Sequence, residues 1–163
     1  MSRTRSFSLV LVTVMALVVS AGATVAAASP PSPVSGTFTY TSSTFNSVRF
    51  AGGNMIVDVS ATVDYTGNLE GTLTLHGTLI LHADGSANAH STQVFTGTVN
   101  GVAGTLTFNF AGGGPAGLFR GTQTITGGTG GLADLHGTLY DVGIVVLPDG
   151  PRGTYTGQLQ TAP

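Results

Sequence analysis

From residue 36 onward apolar and polar side chains alternate with period two, and no stretch there carries the 3.6-residue spacing of an amphipathic helix. Met55-x-Val57-x-Val59, Leu73-x-Leu75, Leu79-x-Leu81 and Leu106-x-Phe108-x-Phe110 each place every second residue on one face. The runs are short and bounded by glycine-rich turn signals, which predicts antiparallel strands in a sandwich or barrel. Gly-Thr pairs recur at strand starts, at 36, 71, 77, 97, 104, 121, 137 and 153, without the fixed spacing of a solenoid.

Two turns set the register of the central strands. Asn100-Gly101 is a two-residue hairpin signal that pairs Val99 with Val102. Ala83-Asp84-Gly85 closes a hairpin either as a three-residue turn or, through Asp84-Gly85 alone, as a two-residue one. A slip of one residue turns every side chain to the other face. The two-residue version sets His90 opposite Leu79 and Asn88 opposite Leu81, burying polar groups at roughly 1–3 kcal/mol each. The three-residue version sets Leu73, Leu75, Leu79 and Leu81 opposite Phe95, Gln93, Ala89 and Ala87, and is preferred. Phe119, Gln123 and Ile125 then read as inward, with Tyr140, Val142, Ile144 and Val146 on the next strand and Tyr155 and Leu159 on the last. The expected fold is all-β, a single antiparallel barrel of seven to eight strands.

The N-terminus breaks the alternation. Arg3 and Arg5 precede an apolar run from Phe7 to Val19, and Ala26-Ala27-Ala28 supplies small residues for cleavage. Residues 1–28 therefore read as a secretory signal peptide cut near Ala28. An uncleaved anchor is the rival, but the run is short against the roughly 20 residues of a spanning helix. Residues 29–35 read as a Pro/Ser linker and 36–161 as the barrel domain. The expected localisation is secreted, with no membrane contact after cleavage.

Within residues 29–163 three arginines face seven acidic residues, a balance of −4, and the chain has no lysine or cysteine. A basic nucleic-acid footprint is absent. Lysine Schiff bases, thiol chemistry and disulfides are excluded.

Gly128-Thr129-Gly130-Gly131-Leu132-Ala133 fits the dinucleotide fingerprint G-x-G-x-x-A. That site needs a helix after the loop. Only Leu132 to His136 stand before Gly137 and another strand, so the loop reads as a plain connection. "FTGTVNGVAGTLTF" followed by "GTQTITGGTGGLADLHGTL" resembles the allene oxide cyclase and dirigent type of barrel. A closer likeness is to an uncharacterised bacterial family of small barrels, a domain of unknown function. Its F-x-G, D-G-S-A, F-x-G and G-T-G-x-L-A-x-L-x-G pattern is met by Tyr65-Thr66-Gly67, Asp84 to Ala87, Phe95-Thr96-Gly97 and Gly128 to Gly137. The first of these has tyrosine for phenylalanine. The resemblance implies an eight-stranded, allene oxide cyclase/calycin-like barrel with a lumen, and chemistry on apolar substrates without a cofactor. No position here matches the catalytic residues of those cyclases.

Gln93 stands out as an amide on an aliphatic inner face, with two donors and an acceptor to satisfy. It can orient a ligand carbonyl, or it can be a structural amide bonded to Gln123, Tyr140 or a trapped water. The lumen candidates for a ligand are Gln93, Gln123, Tyr140, Leu75, Phe95, Phe108 and Phe110. No inward carboxylate is expected, since Asp58 and Asp64 fall on the outer phase. Of His76, His82, His90 and His136, the first three cannot share one metal ion and His136 sits on the glycine loop, so they read as surface histidines; a nucleophilic triad has no G-x-S-x-G elbow. Three functions fit: a binder of a small apolar molecule, a cofactor-independent cyclase or isomerase, and a structural envelope protein whose barrel is filled by its own side chains.

Overall fold

The computed structural model describes residues 29–146 and 150–162; the expected signal peptide lies outside them. Eight antiparallel strands follow one another around a closed barrel. They are β1 (Ser32–Ala51), β2 (Asn54–Gly67), β3 (Leu69–Leu81), β4 (Ala87–Val99), β5 (Val102–Gly114), β6 (Leu118–Gly130), β7 (Leu135–Val146) and β8 (Gly150–Thr161). β1 closes the ring by pairing with both β2 and β8. It begins inside the stretch read as linker, where Ser32 pairs with Leu159.

The turn chemistry sets the register of β3 to β5 as expected. Leu73, Leu75, Leu79 and Leu81 stand opposite Phe95, Gln93, Ala89 and Ala87. The turn spans Ala83 to Gly85, with His82 N–H bonded to the Ser86 carbonyl and Gly85 at φ +82°. Asp84 braces it by accepting from the backbone N–H and hydroxyl of Ser86, at 2.9 and 2.6 Å. These bonds to the charged form hold its carboxyl below the usual range. At Asn100 and Gly101 both φ values are positive, 50° and 80°, as a primed hairpin turn requires.

The strand phase of β7 corrects one expectation. Leu139 and Asp141 point into the barrel, while Tyr140, Val142 and Ile144 are 55, 52 and 45 % exposed on its outer wall. Pairing decides this. Leu139 stands opposite Gln123, and Asp141 opposite both Gly121 and Tyr155, all on the inner face. The apolar alternation from Tyr140 to Val146 imitates a core strand, but the neighbouring strands fix the opposite phase. Tyr140 is therefore no lumen residue, and an inward carboxylate exists where none was expected.

The lumen is packed from the Leu132 end upward. Leu69, Val99, Leu132 and Leu159 close that end, followed by Tyr155, Tyr65, Phe95, Leu73, Leu106 and Leu139, then Phe38, Phe108 and Ile125. Glycines on the inner face leave niches for the rings. A side chain at Gly121 would collide with the Phe110 ring, which stacks on Phe119 at 5.5 Å and 9°. A methyl at Gly36 would meet the Thr66 carbonyl and the Tyr155 ring, so this glycine permits a close approach of β1 to β2.

Candidate functional site

Asp141 is 3 % exposed, at the level of the lumen where apolar packing gives way to polar side chains. Gln123, 1 % exposed, reaches it from β6: its Nε2 donates to Asp141 Oδ2 at 2.6 Å and to the Tyr65 hydroxyl at 2.5 Å. Gln93 enters from β4, and its Nε2 donates to Ser91 Oγ at 3.0 Å. Tyr40, Phe38, Val63, Leu73, Leu75 and Phe119 complete the walls of one small cavity. Its volume is ≈ 10 Å³ for the centre of a water molecule, which is room for about one water.

Electrostatics disfavours charge in this cluster. Burial pushes the Asp141 carboxyl up to about 7, against the opposing effect of the Gln123 hydrogen bond. Burial, with the nearby Asp141 carboxyl second, raises the Tyr65 and Tyr40 hydroxyls above the ordinary tyrosine range. Asp141 is thus a carboxyl half-protonated near neutrality, beside two tyrosines that stay protonated.

Three buried oxygens at this cavity lack a hydrogen-bond partner: Gln93 Oε1, Gln123 Oε1 and Asp141 Oδ1. One orphaned acceptor costs ~1–3 kcal/mol, and native folds rarely leave three together. A single water that donates to the two glutamine oxygens and accepts the proton of neutral Asp141 satisfies all three. An ammonium can donate to all three oxygens with Asp141 ionised, whereas an alcohol hydroxyl donates to one glutamine oxygen and accepts from neutral Asp141.

Of the residues expected in the lumen, Gln93, Gln123, Leu75, Phe95, Phe108 and Phe110 are buried there. Gln93 and Gln123 share the cavity with Leu75, whereas Phe95, Phe108 and Phe110 pack the core around it. Asp141 and Tyr65, the residues that complete the polar cluster, escaped the sequence reading. A signal for Asp141 was present in the Gly-Thr pairs. In each of the eight the glycine falls on the inner phase and the threonine on the outer, so Gly137-Thr138 places Leu139 and Asp141 inward.

The histidines stand apart from this cluster. His76 is exposed beside Asp58, Nε2 to Oδ2 3.6 Å, while His82 bonds Asn54 and Asn88 at 2.9 and 2.8 Å. Among the described residues no three His, Cys, Asp or Glu side chains form a metal-binding group. The glycine loop runs from β6 into a four-residue turn and then β7, without the helix a dinucleotide site requires; Leu132 of that turn is buried where it helps close one end of the lumen.

Comparison with known proteins agrees with this architecture. Among solved structures the barrel is similar to a DUF3224 protein of unknown function from Shewanella oneidensis MR-1. The TM-score is 0.66 at 20 % identity, over 82 % of this chain and all of that one. No curated protein matches the sequence. The family model described as a protein of unknown function (DUF3224) matches residues 34–150. The chain belongs to the DUF3224 family.

Proposed function

We propose that this is a secreted, non-catalytic β-barrel protein whose lumen is a packed core, and which acts through its outer wall. The observation that carries this reading is the cavity at Asp141, ≈ 10 Å³, too small for anything beyond a water-sized group. Ligand pockets for drug-sized molecules run to roughly 300–1,000 Å³. A cyclase or isomerase acting on an apolar substrate would need comparable room beside its acid. Native mass spectrometry of residues 29–163, purified gently from an exporting host's medium, tests the proposal. A mass equal to the polypeptide alone supports it, and a reproducible extra organic mass lost on denaturation overturns it.

A second reading is favoured by the three orphaned oxygens. In it the barrel binds a small, largely apolar molecule whose hydroxyl or amine takes the place of the water. Tyr40 and Phe119, only partly buried, are the side chains that would move to admit the apolar part. Gln93→Leu separates the readings: loss of a retained mass supports the binder, whereas an unchanged mass and a higher melting temperature support the filled barrel.

A further inference from the structure

The outward phase of β7 leaves a row of apolar side chains on the barrel wall. Tyr140, Val142 and Ile144 alternate along the strand, and Leu118 of β6, 44 % exposed, stands opposite Ile144. Arg120 flanks the row from β6, opposite Val142, and Arg152 flanks it from β8, opposite Ile144. Both arginines are exposed, and neither makes an ion pair among the described residues. They are two of the three cations that residues 29–163 possess. Asp58, Asp64 and Glu70 lie across the ring on β2 and β3, and Asp134 in the β6–β7 turn; the third arginine, Arg49, stands on β1 opposite Ile56, near exposed Phe45, Val48 and Phe50.

We propose that this β6–β8 face docks on an anionic lipid bilayer surface. The claim rests on the filled-barrel reading, because it assigns the protein's contacts to its wall. Both edges of β7 are already bonded to β6 and β8, so strand addition by a peptide is closed off. A soluble polyanion would engage the arginines but gain nothing from Val142 and Ile144. A phosphate-bearing bilayer uses both: the guanidinium groups meet headgroup phosphates, and the apolar row sits at the acyl boundary with Tyr140 at headgroup level. An open depression of ≈ 440 Å³ between Val142, Ile144 and Arg152, with Gly143 and Gly153 in its lining, is where a lipid headgroup can seat. Apart from the β1 stretch with Phe45, Val48 and Phe50, threonine and serine dominate the rest of the wall, so the barrel lies on the surface and does not span it.

The test is co-sedimentation of residues 29–163 with vesicles, a segment that contains all eight strands and the buried core among the described residues. Retention at least tenfold higher on phosphatidylglycerol–phosphatidylcholine vesicles than on pure phosphatidylcholine is expected, and weakens at high salt. The double variants Val142→Thr/Ile144→Thr and Arg120→Gln/Arg152→Gln should each lower it at least fivefold while leaving the melting temperature in place. Equal or absent retention on both vesicles overturns the proposal, as does undiminished binding by either variant. So does complete competition by soluble polyphosphate with the apolar variant behaving as wild type. Failure here leaves the mass measurement of the lumen untouched, so the two claims fall separately.

Discussion

Two buried polar groups, on residues paired across β7 and β8 in the same lumen, have opposite fates. The Tyr155 hydroxyl accepts from the Leu69 N–H at 2.7 Å and donates to the Thr66 carbonyl at 3.2 Å, so it latches β8 to the turn between β2 and β3. The Asp141 carboxyl holds one hydrogen bond, from Gln123, while its own Oδ1 and the Oε1 atoms of Gln93 and Gln123 are unsatisfied. Tyr155 thus repays its burial within the protein, whereas the Asp141 cluster requires a further donor. The contrast separates a structural polar group from one that invites a visitor, be it water or ligand.

The largest expected effect checks the framework on which both groups sit. Leu139→Ala on the inner phase of β7 should cost ~2–5 kcal/mol, and Val142→Thr on the outer phase of the same strand about 0.5 or less. Equal costs in denaturant titrations would break the β7 phase and with it the burial of Asp141.

Asp141 gives the next largest signal. Its folded-state carboxyl titrates near 7 and its unfolded one near the ordinary 3.8. Between these values the unfolded chain releases the proton while the fold retains it. The stability associated with this group is therefore fully present below pH ~4 and lost as pH rises toward 7, by at most ~1.4 kcal/mol per unit, and then levels off. Asp141→Asn should abolish that slope, read as the difference between the two proteins' unfolding free energies across pH 4–8. A wild-type slope identical to the variant's would make Asp141 an ordinary solvated carboxylate.

Tyr155→Phe should follow, at ~1–3 kcal/mol, because it orphans the Leu69 N–H in the core. Gln93→Leu should have the smallest effect, a gain of up to ~1 kcal/mol, since the acceptor it removes has no partner within the protein and only Ser91 Oγ loses a protein donor. If the ranking of these two were reversed, Gln93 would be as well satisfied as Tyr155, and the contrast between the two groups would disappear.

Where turns speak for the register, the sequence is legible. Asn100-Gly101 and Ala83-Asp84-Gly85 determine β3 to β5 down to the individual pairs, and Gln93 was found because its strand was registered from both sides. β7 has no such turn in the reading, and its Tyr-x-Val-x-Ile-x-Val alternation is a better apolar stripe than the true inner face, which carries Gly137, Leu139, Asp141 and Gly143. Hydrophobicity alone chose the wrong face. Backbone crowding, visible as the inward glycine of each of the eight Gly-Thr pairs, indicated the right one. Tyr65 was legible only as part of a Tyr-Thr-Gly turn motif, because its hydroxyl acquires meaning from Gln123, 58 residues away.

A high-resolution crystal structure of the cavity at Asp141 tests the central claim most directly. The packed-lumen account predicts one ordered water within hydrogen-bond reach of Gln93 Oε1, Gln123 Oε1 and Asp141 Oδ1, with Tyr40 and Phe119 in place. Elongated density reaching between displaced Tyr40 and Phe119 side chains would contradict it and make the lumen a binding site.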